Sequence, residues 1–376
     1  MQASQDHTEG LAGALEQTYP ELARVRSLGG DPVYLVGGAV RDLLLGRDRA
    51  DIDLVVEGDA AALAQRLGAD AISHERFGTA KVKLDGHEVD IASARSESYP
   101  YPGALPVVAP DAELAADLRR RDFTINAMAI PLLGDPLLVD PHGGQADLAV
   151  GQLRVLHDDS FVDDPTRAIR AARYASRFGF SLEQWTAELL RKADLETVSA
   201  DRRQAEMLRL GAEDEAARGF ALLAEWGLVQ LRPGGVELAA AAAKLLEEEA
   251  WQALVRRDRT LVGAALGPPR GEQALAEAQP GRPSEAVALA APHDGTELVL
   301  ARALGAEWLD RYLDEWRGIA LEIDGSDLIR AGLSQGPALG RGLGEALRRK
   351  LDGEIAGRDE ELAVALEVAR SDDGVA

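Results

Sequence analysis

The chain has 376 residues, 46% hydrophobic and 28% charged, an ordinary composition for two or three globular domains. It has no cysteine, which excludes disulfides, zinc–thiolate centres and thiol nucleophiles; a polar start, MQASQDHTEG, and no apolar run of ~18 residues argue against a leader or a membrane span, so the chain reads as cytoplasmic. Its 64 acidic residues against 41 basic ones, net −23, oppose nucleic-acid binding only if the charge is spread evenly, because a local groove can carry the opposite sign.

Residues 11–28 read as an amphipathic helix leading into Val33–Val36, a short apolar run of β character. Gly37 and Gly38 end that run, and residues 39–45 begin a helix with Arg41 near its start. A strand, a glycine turn and a helix start present N–H groups and a positive dipole end to an anion, and Arg41 adds a bidentate donor. Such turns are most often structural, but Asp51-Ile52-Asp53 follows and runs into a second strand, Leu54-Val55-Val56. Residues two apart on a strand share a face, so the carboxylates emerge side by side. They repel unless a cation sits between them, and hard oxygen ligands of this kind suit Mg²⁺. Metal-dependent phosphoryl or nucleotidyl transfer is the favoured reading over a solvated strand edge.

Residues 59–68 predict a helix with Asp59 as cap and Gly68 as stop, and Asp85-Gly86 predicts a hairpin between strands 81–84 and 88–92. Asp90, inside the second of these strands, is either a third acidic group facing Asp51 and Asp53 or a charge on an exposed edge. Residues 96–110 hold four prolines and read as a loop. In 117–130, DLRRRDFTINAMAI, two readings stand: an amphipathic helix with a basic end, or a surface where Arg121 and Asp122 meet a nucleotide's phosphate and sugar, with Asn126 fixing their geometry.

Beyond a turn at Pro141-His142-Gly143-Gly144 the chain reads as mostly helical. Asp163 and Asp164 stand at a helix start with Pro165 in its first turn. Arg167, Arg170, Arg173 and Arg177 form one stripe, and only Arg167 has acids at helical spacing; the other three call for an anionic partner. Acidic runs at 213–215 and 247–249 read as lying apart from these arginines. Residues 267–295, rich in Pro, Gly and Ala, read as a loose connection. His293-Asp294 hints at a phosphohydrolase domain, rejected because the other five histidines all precede residue 158. Residues 321–369 read as helices separated by Gly325 and Gly336-Pro337, with Arg348, Arg349 and Lys350 as an RNA contact or a solvated face.

Four ordered blocks, LVGGAVRDLLLG, DIDLVV, RRDFTINAMA and DDPTRAIRAARYASRFGF, resemble the signature blocks of the class II tRNA nucleotidyltransferase and bacterial poly(A) polymerase family, and the similarity runs over residues 30–235. The resemblance implies an α+β chain: a DNA-polymerase-β-like nucleotidyltransferase head with a mixed sheet (1–150), an all-helical neck (151–235) and a helical, tRNA-binding body and tail (236–376). It implies addition of C and A from CTP and ATP to a tRNA 3′ end, with no nucleic-acid template and no membrane partner. Gly37, Gly38 and Arg41 would hold the triphosphate, Asp51 and Asp53 would bind Mg²⁺, and Arg121 and Asp122 would sit at ribose and phosphates beside Asn126. Asp164 and Arg167 would present hydrogen-bonding edges to the base, and Arg170 and Arg173 would contact phosphates. Cytosine and adenine both carry an amine beside a ring acceptor, whereas uracil and guanine reverse that pattern.

Some positions depart from the family pattern. Asp163-Asp164 replaces a usual Glu-Asp pair, Thr166 a usual aliphatic residue, and Asp201 and Arg203 a usual Glu and Ile. Asp90 matches an acid that many members carry. The loop RSESYPYPGALP resembles the flexible loop of members able to add the final A. The runner-up is a poly(A) polymerase or A-adding enzyme, which shares every block. A non-catalytic RNA-binding module is the remote alternative, opposed by intact Asp51, Asp53, Arg41 and Arg121.

Overall fold

The computed structural model describes residues 2–68, 72–74, 78–110 and 112–371. They divide into two units, Met1–Gln230 and Leu231–Ala376. The first opens with helices α1 (Gln2–Thr18) and α2 (Ala23–Leu28), not the single helix expected over 11–28. Pro20 cannot donate to the preceding turn and disfavours helical backbone at the residue before it; Tyr19 accordingly adopts φ −129°, ψ 61°.

The sheet that follows is mixed and six-stranded, in the order β3-β4-β5-β2-β1-β8. Its strands are β1 (Val33–Val36), β2 (Ile52–Val56), β3 (Ile72–His74), β4 (Thr79–Leu84), β5 (His87–Ser93) and β8 (Ala129–Pro131). β1 lies antiparallel to β2 and β8, β2 is parallel to β5, and β5 is antiparallel to β4. β1 and β2 are apolar almost throughout because both their faces are covered; Asp53, exposed in mid-strand, is the exception. The β4–β5 hairpin turns at Asp85 and Gly86, with φ 49° and 88°, the left-handed pair a two-residue turn demands. α3 (Gly38–Leu44) leaves β1, and α4 (Ala60–Leu67) is capped by Asp59, whose carboxylate accepts from the Ala61 N–H at 2.8 Å.

The stretch 96–110 is not a plain loop. β6 (Ser96–Ser98) pairs with β7 (Val107–Ala109), leaving 99–106 as a hairpin tip; three-residue strands are too short to show alternation among prolines. Nor is 117–130 one helix. α5 (Leu114–Arg119) gives way to a 3₁₀ turn at Thr124–Asn126 and then β8. Next come α6 (Gly144–Val150), α7 (Ser160–Asp163), α8 (Thr166–Phe178), α9 (Gln184–Leu190), α10 (Ala200–Gly211) and α11 (Ala216–Glu225). The region expected to be all-helical also contains a two-residue parallel ladder, β9 (Gln152–Leu153) with β10 (Ser181–Leu182). Phe123 meets Tyr174 edge-on at 5.9 Å, and both share one core with the sheet and α8, so the sheet and the helices after it pack within one unit.

The second unit is helical. The segment 267–295 carries α15 (Glu272–Glu277) and α16 (Pro283–Ala290), which bury Leu275, Ala286 and Ala290, while Arg232 reaches Glu272 at 2.9 Å; it is a packed part of the unit and not a loose connection. Gly325 opens α19 (Gly325–Arg330) under an Asp324 cap instead of separating helices. Of the basic cluster, Arg348 pairs with Glu345 at 2.8 Å and Asp352 at 3.0 Å, Arg349 with Glu345 at 2.9 Å and Lys350 with Glu361 at 2.6 Å, so its charge is balanced locally. No helix among the described residues is long and apolar enough to cross a membrane.

Candidate active site

One cleft of about 1610 Å³ in the first unit gathers Gly37, Gly38, Arg41, Asp51, Asp53, Arg121, Asp122, Asn126, Asp164, Arg167, Arg170 and Arg173. Eleven arginines and ten carboxylates line it, so in a chain of net −23 the cleft is locally balanced. The acids at 213–215, expected apart from the arginines, are among its lining.

Its floor begins at the turn between β1 and α3. Gly37 has φ 70°, ψ −130°, so the backbone requires glycine, and a Cβ there would lie 2.8 Å from Arg121 Nη1 and push that guanidinium aside. Arg41 does not extend a free fork toward the cleft. It is buried, donating from Nε and Nη2 to Asp42 at 2.8 and 2.9 Å and from Nη1 to Asn126 Oδ1 at 2.6 Å, with its guanidinium over the Phe178 ring at 4.6 Å. Asn126 in turn donates to Asp122 Oδ1 at 2.9 Å, so it does fix the neighbouring acid. Arg121 donates to Asp117 at 2.9 Å. Burial would raise the Asp117 carboxyl, but the charges of Arg121 and Arg120 outweigh it and hold the pKa below the ordinary value.

Asp53 projects from β2 with Asp51 just ahead of it, and neither has a hydrogen-bond or ion-pair partner among the described residues. Asp90 is the register partner of Asp53 on parallel β5, so the two share a sheet face. Desolvation by the surrounding protein, then the charges of Asp90 and Asp51, raise the Asp53 carboxyl pKa, with Arg121 opposing. Asp90 itself does not line the cleft; it is exposed and ion-paired to Lys81 at 3.0 Å. No group of three or more His, Cys, Asp or Glu among the described residues converges as a ligand set. The donor set that fits a hard divalent cation is therefore the unpartnered pair Asp51 and Asp53, whose mutual repulsion a cation would relieve.

The opposite wall is α8. Asp164 Oδ1 accepts from the Thr166 N–H at 3.1 Å, the Thr166 hydroxyl at 2.5 Å and Arg202 Nη2 at 3.0 Å, while Oδ2 has a single 3.3 Å contact from Arg170. The departure at Thr166 thus adds a donor to Asp164. Arg167 is only 2% exposed. Its Nη2 donates to the Arg120 carbonyl at 2.9 Å, its Nη1 lies 3.3 Å from His157 Nε2, and its buried Nε has no acceptor. It pairs with neither acid expected at helical spacing.

The rest of the arginine stripe is not short of acids. Arg170 lies 3.2 Å from Asp122, 3.3 Å from Asp164 and 3.9 Å from Glu206, and Arg177 holds Glu213 through two bonds of 2.6 Å. Arg173 is 3.9 Å from Glu213 and sits over the Tyr174 ring at 5.0 Å. These acids come from other elements, which spacing along one helix cannot reveal.

The Poly A polymerase head domain model matches residues 33–154. The CC-adding tRNA nucleotidyltransferase of Deinococcus radiodurans is 35% identical over 87% of this chain and 87% of its own length. The chain belongs to the tRNA nucleotidyltransferase and poly(A) polymerase family. The A-adding tRNA nucleotidyltransferase of Geobacter sulfurreducens is 32% identical over 94% of the chain, which spans about half, 47%, of that relative's length. A solved CCA-adding enzyme in complex with CTP superposes with a TM-score of 0.77 at 30% identity, covering 96% of this chain and 98% of that one. Nucleotidyltransferases of this family generally use a divalent metal.

Relative to these nucleotidyltransferases, the residues that sequence reasoning overlooked are the ones that brace the site: Arg120, Glu97, Glu206, Glu213 and Arg202. Arg120 bridges Glu97 at 2.9 Å and Asp117 at 2.7 Å while its carbonyl receives Arg167. Nothing in local spacing marks Glu97 or Glu213. Arg202 stands beside Arg203, which drew attention as a departure but pairs with Glu196 and does not line the cleft.

Proposed function

We propose that this chain adds C and A nucleotides from CTP and ATP to the 3′ end of tRNA, with residues 1–150 as the nucleotidyltransferase head, 151–235 as the neck and 236–376 as a tRNA-binding body and tail. What carries the reading is that the unpartnered carboxylates Asp51 and Asp53 line the same cleft as Asp164 and Arg167, so a reacting phosphate and a base can be held at once. Asp51 and Asp53 would hold the divalent ion, assigned as Mg²⁺, which would ease loss of the RNA 3′-hydroxyl proton and neutralise the triphosphate. The hydroxyl oxygen, its proton passing to solvent, bonds to the α-phosphorus as the bond to the β-phosphate's bridging oxygen breaks and pyrophosphate leaves. Gly37 and Gly38 let the backbone approach the triphosphate closely, and Arg121, Arg170 and Arg173 supply positive charge along it. Asp164 Oδ2, with acceptor capacity to spare, takes the amine of cytosine or adenine, and the unsatisfied Nε–H of Arg167 donates to the adjacent ring acceptor. Uracil and guanine would set a carbonyl against the carboxylate.

The test is incubation of the chain with Mg²⁺ and tRNA transcripts ending before CCA, after one C and after CC, offering one labelled nucleotide at a time. Two C additions followed by a single A are expected. A second reading, an A-adding enzyme, is favoured by the Geobacter relative and requires A incorporation on the CC-ended transcript alone; the loop RSESYPYPGALP argues against strict CC addition and is shared by both readings. Additions of C without A would assign CC addition, a long A tract would assign poly(A) polymerase, and no incorporation with any nucleotide would refute the catalytic reading.

A further inference from the structure

Of the arginines that line the cleft, all but one are held by an acid or another acceptor of the protein. The exception is Arg47, on the segment between α3 and β2. Among the described residues its side chain has no hydrogen bond and no ion pair; its one contact is the Phe178 ring, 4.8 Å from the guanidinium carbon. Phe178 also carries the Arg41 guanidinium at 4.6 Å. Arg41 gives its donors to Asp42 and Asn126, whereas Arg47, seated on the same ring, keeps every N–H open.

The backbone beneath this free side chain is fixed. α3 stops at Gly46, φ 62°, where the Gly46 N–H donates to the Leu43 carbonyl at 3.2 Å and the Arg47 N–H to the Asp42 carbonyl at 3.0 Å, the paired bonds of a Schellman stop. Further on, Arg49 is held by Glu21 and lies over the Tyr19 ring at 5.2 Å, and the Ala50 N–H donates to the Tyr19 hydroxyl at 3.3 Å. The segment leading into Asp51 is thus anchored at both ends. Asp51 is within about 14 Å of Arg47 even were the chain between them fully extended. Phe178 closes α8, roughly 16 Å along the axis from Arg167 at a rise of about 1.5 Å per residue, and Arg170 and Arg173, assigned to the nucleotide's phosphates, occupy the interval. Arg47 is exposed, open to a polymer arriving from solvent. An RNA whose 3′-hydroxyl meets the ion at Asp51 and Asp53 brings a phosphodiester behind that hydroxyl, and a planar guanidinium binds one through two parallel bonds.

We propose that Arg47 is a contact for the 3′-terminal backbone of the substrate RNA: its guanidinium, seated on Phe178, holds a phosphodiester behind the reacting hydroxyl and sets the RNA end against Asp51 and Asp53, without touching the incoming nucleotide. This rests on the reading of the chain as one that extends an RNA 3′ end. Arg47 acts on the RNA, and the buried arginines of α8 act on the nucleotide.

The experiment uses the full chain and a tRNA transcript ending before CCA. Filter binding without nucleotide gives the RNA Kd at several salt concentrations, and steady-state incorporation gives KM for CTP at saturating RNA. In Arg47→Ala the RNA Kd should rise about tenfold, and the slope of log Kd against log salt should fall by about 0.7–0.9, the value for one phosphate contact. KM for CTP should stay within about twofold. Arg47→Lys should keep the salt slope, which counts charges, and lose about threefold in affinity, because an ammonium neither forks a phosphate nor stacks as a plane on Phe178. Arg203→Ala, which removes a partly exposed arginine outside the cleft, should change neither quantity. An unchanged RNA Kd in Arg47→Ala overturns the proposal. So does an equal weakening in Arg203→Ala, which reports net charge and not position, and so does a raised KM for CTP with intact RNA binding, which gives the phosphate to the nucleotide. A wild-type chain that does not extend the transcript overturns the functional reading itself, an outcome visible before any variant is made.

Discussion

Arg170 meets three carboxylates of the cleft region, Asp122, Asp164 and Glu206, whose side chains are 11%, 9% and 5% exposed. Arg170→Met keeps the length of the stem and deletes the charge. Breaking a buried pair by removing one partner costs about 3–5 kcal/mol, because the other charge stays buried without compensation. Here each acid keeps another donor: Asn126 for Asp122, Thr166 and Arg202 for Asp164, Arg209 for Glu206. The low end, about 3 kcal/mol, is therefore expected. Since the two units need not unfold together, the assay is hydrogen exchange of the α8 and α10 amides, where this loss is about a hundredfold in protection. Burial alone would raise the Asp122 pKa, and the Arg170 charge with the Asn126 bond brings it below the ordinary value. A carboxylate with a lowered folded pKa stabilises above its unfolded pKa and loses that contribution as pH falls. The wild-type advantage should accordingly hold from pH 7 to about pH 5 and shrink as pH falls below about 4. A loss of protection below fivefold, or a difference that does not change with pH, would refute the reasoning.

Asp51→Ala or Asp53→Ala should abolish incorporation with tRNA affinity nearly unchanged, and Asp90→Asn should give a milder loss; single-turnover incorporation beside filter binding measures both, and substantial activity in either alanine variant would sink the two-carboxylate assignment. Asp53→Asn should raise the melting temperature of the metal-free chain, because a carboxylate raised by desolvation, Asp90 and Asp51 opposes folding; a lower melting temperature would contradict this. His157, lowered by burial and then by the Arg167 charge, with Asp163 and Asp159 pulling upward and Arg119 downward, must accept from Arg167 as neutral imidazole. A depressed histidine costs stability as pH drops below its unfolded value of about 6.5, so melting temperature and CTP:UTP selectivity should both fall from pH 7 to pH 5 and His157→Gln should flatten the profile; matching profiles would exclude the role. Gly37→Ala should cost about 1–3 kcal/mol and lower incorporation, since it forces a non-glycine residue to φ 70° and displaces Arg121; wild-type unfolding and rates would show that the turn tolerates a side chain.

What the sequence displayed was local. Gly37, Asp59 with its helix, Asp85-Gly86 and the Asp164-Pro165 helix start each announce themselves within a few residues, because turn backbone and caps are set by near neighbours. The pair at Asp51 and Asp53 was legible for the same reason. What stayed hidden depends on partners far along the chain. β6 and β7 are three residues each and exist only as a pair, and α15 and α16 are held by burial and Arg232, not by strong periodicity of their own. The clearest loss is at the arginine stripe. Its acids lie at 122, 206 and 213, so a surface that reads along one helix as free positive charge is balanced across the fold.

That balance bears on how a chain of net −23 can take an anionic substrate. Eleven arginines crossed with ten carboxylates give the cleft little net field, so affinity must come from placed donors more than from long-range attraction. Carboxylates in the lining and behind it do the placing: Asp117 holds Arg120 and Arg121, Asp122 and Glu206 flank Arg170, and Glu213 anchors Arg177. The buried Nε–H groups of Arg167, Arg170 and Arg173 remain without a well-directed acceptor, a costly arrangement in a protein interior. Donors fixed beforehand and left unsatisfied gain most from a ligand that fills them. A neutralised cleft of this kind attracts anions weakly at a distance and discriminates between them strongly on contact, which is what choosing among four nucleotides of equal charge requires.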